Sequence, residues 1–246
     1  MPKFFVSPEK ISGDIITIDT DDTAHIKRVL RLGVGDTVTV CDSRGVDYDA
    51  EITEISNNAV ICKAVSCRNN NSEPNISVTL YQALPKASKM EYIIQKNTEL
   101  GIVKIVPCEL SRCVVKLSGQ DAAKKCARWQ KIADEAAKQS GRGFLPEIAP
   151  VLDFKHAVED MKKSDLCFVP YESEDEVSLR SVLTANKNVK SIAFMIGPEG
   201  GFSPEEIAYI EAVGIPRITL GPRILRTETA GEATLAMVMY ELGDIN

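Results

Sequence analysis

Between residues 4 and 65 the apolar positions fall in short, β-branched runs, over 15–18, 37–40, 48–55 and 59–65. Turn residues at Gly13, Gly35-Asp36, Arg44-Gly45 and Asn57-Asn58 separate the runs, the punctuation expected of short strands. The pattern predicts a small β-barrel interrupted by one helical insertion over 25–32. Residues 66–75 are polar, rich in asparagine and carry a proline near their end, a composition that reads as an interdomain linker. The boundary is placed there, giving domains 1–70 and 71–246.

Beyond the linker the period changes. Apolar runs over 76–83, 103–108, 165–170, 191–196 and 217–220 read as strands. Helical patterns over 89–100, 121–139, 153–162, 178–185, 204–213 and 229–242 alternate with them. This alternation implies an α/β domain in which helices cover both faces of a parallel sheet.

Length and composition agree with that division. The 246 residues suffice for two modest domains, and 44% hydrophobic with 26% charged residues is ordinary for a globular chain. The first ten residues lack a long apolar segment, and nowhere do ~18 uncharged apolar residues run together, so secretion and membrane insertion are not expected. Seven cysteines form no CxxC pair and only two histidines, His25 and His156, are present. Neither a metal site nor a disulfide framework is expected, and reduced cysteines used as small core residues point to the cytosol. The formal net charge of −6 hides an uneven distribution: residues 86–142 carry 12 basic against 6 acidic side chains. That segment can hold a polyanion on an otherwise acidic protein.

Two local patterns carry candidate chemistry. In IGPEGGFSPEEI, over 196–207, an apolar strand runs into a glycine loop and then a helix start with Ser203 and Glu206 at capping-box spacing and Pro204 at the first helical position. Glycines 197, 200 and 201 let backbone groups approach a ligand closely, and a plain tight turn explains the same spacing equally well. Neither a dinucleotide fingerprint nor a P-loop is matched. In ITLGPRILRTETA, over 218–230, a second strand meets a glycine-proline turn and a helix that Thr227 or Thr229 can cap. Arg223 and Arg226 are out of place beside a helix N-terminus, whose macrodipole disfavours cations, and they suggest an anionic substrate.

These two motifs, with QKNTELG over 95–101 and RWQKIADEAAKQSGR over 128–142, resemble the RsmE-like family of 16S rRNA uridine N3-methyltransferases within the SPOUT superfamily. HIKRVLR, over 25–31, is similar to part of that family's PUA-like RNA-binding barrel, so the resemblance spans essentially the whole chain. It implies a PUA-like barrel followed by an α/β trefoil-knot methyltransferase domain, a rare exception to the rule against knotted chains. It also implies S-adenosylmethionine held by three loops. Their residues here are Tyr171 and Glu172; Ile196, Gly197, Pro198, Glu199, Gly200 and Gly201; and Leu220, Gly221, Pro222, Ile224 and Leu225, with Thr229 and Ala230 beyond them. Glu172 would reach the cofactor ribose, although residues 172–176 also read as a solvated acidic loop.

The resemblance further implies small-subunit ribosomal RNA, within the 30S subunit, as partner. The helix over 121–139 puts Trp129, Ile132, Ala133 and Ala136 on one side and Lys124, Arg128 and Lys131 on the other, a basic face suited to phosphate. Arg112 and Lys116 extend this face, Lys27, Arg28 and Arg31 form a second cluster, and Arg142 and Arg223 complete the RNA-facing set. Arg226 is assigned to stabilising a uridine imide anion, with Thr227 and Glu228 as candidates for proton handling. The family's members are homodimers, and apolar side chains on more than one face of the last helix fit a second partner surface. The rivals are a related methyltransferase acting on a ribose 2′-hydroxyl or another base, and an inert RNA-binding module of ribosome assembly.

Overall fold

The computed structural model describes residues 1–19 and 21–245. The chain forms two compact units, one of residues Met1–Glu73 with Ala137–Leu145, the other of residues 74–136 and 146–246.

In the first unit, β1 (Lys3–Phe5), β2 (Ile11–Ser12) and β3 (Ile15–Asp19) are followed by a short α1 (Asp21–Ala24), and β4 (Thr37–Cys41), β5 (Val46–Ile55) and β6 (Ala59–Asn69) complete a six-stranded sheet. The order is β1-β4-β5-β6-β3-β2; β1 runs parallel to β4 and the other pairs are antiparallel. Period-two burial puts Ile16, Ile18, Val38, Val40, Ile52 and Val60 into one core with Phe4 and Ile26. Two irregularities between β5 and β6, at Asp49/Ala50 and Ile52/Glu54, shift the register of the ladder. The helical insertion winds over His25–Leu30 as a π-helical turn and stops at Arg31, whose φ of 54° turns the chain out of the helix.

The predicted linker is folded. Its first residues extend β6 to Asn69, paired with Val46. Asn70 then donates to the Asp47 carboxylate at 2.8 Å and to the Gly141 carbonyl at 3.0 Å. Glu73 grips Arg142 with Nε at 2.9 Å and Nη2 at 2.7 Å and also accepts from the Gly143 N–H at 2.7 Å. Polar residues there satisfy other polar groups of a folded unit, a role that composition does not distinguish from that of a solvated linker.

The second unit runs β7 (Ser77–Ala83), α2 (Lys89–Glu99), β8 (Lys104–Glu109), α3 (Gly119–Ser140), β9 (Glu147–Ile148), β10 (Leu152–Asp153) and α4 (Phe154–Met161). It continues with β11 (Leu166–Pro170), α5 (Leu179–Ala185), β12 (Ser191–Ile196), α6 (Pro204–Ala212), β13 (Arg217–Ile218) and α7 (Thr227–Leu242). The last turn of α3 enters the first unit. Every strand pair is parallel, in the order β10-β8-β7-β12-β11-β13 with β9 also on β8, as the alternating pattern predicts. The central strands read as almost continuous apolar runs because both faces are covered: Ile192 through Ile196 are all buried. The buried α7 packs on β7, β12, α2 and α5. Its register puts Leu235, Val238 and Met239 in the core and leaves Met237 and Tyr240 exposed.

Candidate active site

Strands β12, β11 and β13 are neighbours in the sheet. Since all are parallel, the segments leaving their carboxyl ends emerge on one edge, where open α/β sheets bind ligands. Three such segments, with Thr227 and Ala230 of α7, enclose a cavity of about 650 Å3, within the roughly 300–1,000 Å3 of small-molecule sites.

The middle segment is the most constrained. Ser203 caps α6 by accepting the Glu206 N–H, Glu206 Oε2 accepts the Ser203 N–H at 2.8 Å, and Pro204 opens the helix, which realises the predicted capping box. The other Glu206 oxygen accepts the Ser111 N–H at 2.8 Å. Between β12 and this cap the loop closes on itself, with the Gly201 N–H donating to the Pro198 carbonyl at 2.9 Å. Gly201 sits at φ 66°, and a Cβ there would lie 2.6 Å from Glu172 Oε1. Only glycine lets this wall face the acidic loop so closely.

Charged side chains pin the loop from outside. Arg112 Nη1 donates to the Gly200 carbonyl at 2.8 Å. Glu199 is bound by Lys89 Nζ at 3.0 Å and by the Lys86 N–H at 3.1 Å, and Lys89 also lies 3.3 Å from Glu228. Burial alone would raise the Glu199 carboxyl pKa, but Lys89 and backbone N–H donors outweigh it and hold the group below its ordinary range. Beside the wall residue Tyr171, the Arg217 guanidinium lies 5.8 Å from the ring and ion-pairs with Glu211 at 3.0 Å. Glu174 is kept below the usual carboxylate range by the N–H groups of Val177 and Glu176.

Every residue expected to hold the cofactor lines this cavity except Thr229. The helix begins at Thr227, not Thr229; Thr227 and Ala230, three residues apart, face the cavity, while Thr229 is exposed. No side chain caps this helix, because Arg226 occupies the N-cap. Arg223, expected on RNA, lies on the cavity wall. Thr227 is buried, its hydroxyl donating to the Gly197 carbonyl at 2.7 Å and accepting from Gln82 Nε2 at 3.0 Å, which ties the start of α7 to the glycine loop. Arg226 is exposed, and neither it nor Glu228 is on the wall.

Arg142 also needs correction as an RNA contact. It is 3% exposed and its guanidinium is held by Glu73, which leaves nothing to meet a phosphate. The remaining RNA-facing set, Lys27, Arg28, Arg31, Arg112, Lys116, Lys124, Arg128 and Lys131, is exposed. Sequence reasoning missed Glu174, Asp175 and Thr219 on the wall, and Lys89 and Gln82 behind it. The last two lie in elements distant in sequence and carry no local motif. Among the described residues no cluster of three or more His, Cys, Asp or Glu is placed to hold a metal, and no helix is long and apolar enough to cross a membrane.

The donor set suits a nucleoside with a charged tail: backbone groups and glycines for close approach, apolar walls from Ile196, Leu220 and Leu225, and the Glu172 carboxylate for hydroxyls. A family model described as an RNA methyltransferase domain matches residues 71–239, and one described as an RNA methyltransferase PUA domain matches residues 18–65. Fold and site define an RNA methyltransferase that uses S-adenosylmethionine, with a PUA-like amino-terminal unit. Ribosomal RNA small subunit methyltransferase E of Bacillus subtilis is 36% identical over 229 residues, 92% of this chain and 90% of its own. The enzyme of the same name from Neisseria gonorrhoeae, solved bound to S-adenosyl methionine, superposes with a TM-score of 0.89 at 30% identity, covering 100% of both chains. A Legionella pneumophila methyltransferase in complex with the same cofactor gives 0.90 at 30% identity, with 99% and 98% covered. The chain belongs to the ribosomal RNA small subunit methyltransferase E family.

Proposed function

We propose that this protein transfers a methyl group from S-adenosylmethionine to N3 of a uridine in small-subunit ribosomal RNA, in the cytoplasm, as a symmetric dimer acting on the assembled or assembling subunit. The observation that carries this reading is a cofactor-sized cavity bordered by a cationic segment: Arg223 lines it and Arg226, exposed, follows the last wall residues of that loop. The names of the curated relatives support the RNA class.

The bound cofactor supplies an electrophilic methyl on a positively charged sulfur. The loop 197–201 binds and orients it through backbone groups, and Tyr171, Leu220 and Leu225 keep water from it. Uridine N3 attacks only after losing its proton. With an imide pKa about two units above the working pH, forming the anion costs roughly 3 kcal/mol, which a nearby cation offsets. Arg226 stabilises that anion and orients the base. With Thr227 committed to Gly197 and Gln82, Glu228 is the segment's remaining proton acceptor, held beside Lys89. Exposed Lys124, Arg128, Lys131, Arg112 and Lys116, and Lys27, Arg28 and Arg31 of the first unit, contact phosphates and supply affinity rather than base choice. Exposed Met237 and Tyr240 give α7 an outward apolar face for the partner protomer, which contributes basic residues to the same uridine.

Nucleoside mass spectrometry of small subunits incubated with protein and S-adenosylmethionine tests the reaction. The expected product is N3-methyluridine. A 2′-O-methylated nucleoside or another methylated base would replace this reading with the nearest rival, and cofactor binding without any methylation would favour the assembly module.

A further inference from the structure

Gln82 is fully buried in β7, directly opposite Ile196, the last residue of β12 before the glycine loop. Its Nε2 donates to the Ala83 carbonyl at 3.0 Å and to Thr227 Oγ1 at 3.0 Å. Because Thr227 Oγ1 receives that hydrogen bond, its own proton is directed to the Gly197 carbonyl, 2.7 Å away. The orientation is fixed: a flipped amide would set Oε1 against the Ala83 carbonyl, two acceptors facing each other. Among the described residues Gln82 Oε1 meanwhile has no hydrogen-bond partner. Burying an amide with one unpaired end costs stability, and a methionine of similar length would fill the space without that cost. Packing alone therefore does not explain an amide at this place.

We propose that Gln82 is a positioning residue for the cofactor site, setting the Gly197 carbonyl, and with it the course of the glycine loop, through Thr227. The peptide joining Gly197 to Pro198 has no N–H, so this carbonyl is its one hydrogen-bonding handle. Held by Thr227, it is fixed in one direction, and the loop that follows presents its backbone to the ligand in one arrangement.

The inference rests on cofactor binding in this cavity. The test uses the full-length protein with S-adenosylmethionine and its demethylated product as calorimetric probes, and compares Gln82→Met, Thr227→Val, the double variant and Thr227→Ser. Each of the first two variants is expected to weaken cofactor binding about tenfold, the loss typical of removing one partner from a buried hydrogen bond. The double variant should bind no worse than the weaker single one, because both cut one chain. Thr227→Ser should restore affinity to within about threefold, and KM for RNA should stay unchanged in Gln82→Met while the melting temperature of the cofactor-free protein does not fall. Should Gln82→Met fold poorly, Gln82→Leu also removes the donor and is expected to show the same weakening. Wild-type affinity in a folded Gln82 variant, or losses that add in the double variant, would overturn the proposal. Wild-type protein that binds neither probe would instead overturn the cofactor reading beneath it.

Discussion

A Cβ on Gly201 would have to share space with the Glu172 carboxylate and would sit on a backbone at φ 66°. Gly200, its neighbour, has neither restriction: a Cβ there would meet Arg112 Cβ at 3.5 Å, an ordinary contact. Gly201→Val should therefore abolish S-adenosylmethionine binding in calorimetry while circular dichroism shows a folded protein, and Gly200→Ala should retain it. Equal losses in both would mean that general loop flexibility, and not this one close approach, sets the affinity. Arg142 makes a different prediction. Burial would raise the Glu73 carboxyl pKa, but Arg142 and the N–H groups of Gly143 and Phe144 outweigh it and lower the pKa below 4.5. A depressed carboxyl contributes stability that is complete above its unfolded pKa and is lost as pH falls through the folded one. Arg142→Gln should cost about 3 kcal/mol at neutral pH, the low end for breaking a buried pair, because Glu73 keeps some contact with water. The gap in melting temperature between wild type and variant should begin to narrow as pH falls past the ordinary carboxylate value and close as pH falls through the lower folded one, and RNA binding by folded variant should be unchanged.

Among the elements, α3 shows how one helix serves two purposes. Trp129, Ala133 and Ala136 are buried, whereas Lys124, Arg128 and Lys131 face outward. Arg128 already pairs with Glu91 at 2.8 Å but stays mostly exposed, so exchanging that partner for a phosphate costs little. Changing the three to glutamine should weaken RNA binding and flatten its salt dependence, by up to about one unit of log–log slope for each phosphate no longer neutralised, with cofactor affinity intact. An unchanged slope would identify this face as ordinary solvated surface. The element that starts two residues earlier than its sequence pattern, α7, has the larger consequence: the shift brings Thr227 into the wall and turns Thr229 out.

For the molecule as a whole, the proposed dimer makes the strongest demand. Met237 is 39% and Tyr240 68% exposed on a helix that buries Leu235, Val238 and Met239, which leaves exposed apolar side chains on its outer face. Sedimentation should show a dimer at working concentration, and Tyr240→Glu should shift it towards monomer with loss of methylation. A Tyr240→Glu monomer with full activity would refute a composite site.

Much of this was legible from residue patterns. The parallel sheet follows from alternating apolar runs and helices, which depend on local spacing; the three loops that line the cavity come from the family resemblance, since a plain tight turn explains the glycine spacing equally well. The misreadings share one cause. Residues 66–75 look like a solvated linker, and Arg142 like an RNA contact, because composition reports polarity but not whether a polar group has a partner across the fold. Asn70, Glu73 and Arg142 find theirs about 70 residues away along the chain. Gln82, Lys89 and Thr227 acquire their roles in the same way, through contacts 110 or more residues apart. Periodicity along one chain is set by each element's own geometry, so sequence alone determines which elements form and which loops can approach a ligand. Partnership between buried polar groups depends on which distant elements the sheet brings together, and only the tertiary structure decides it.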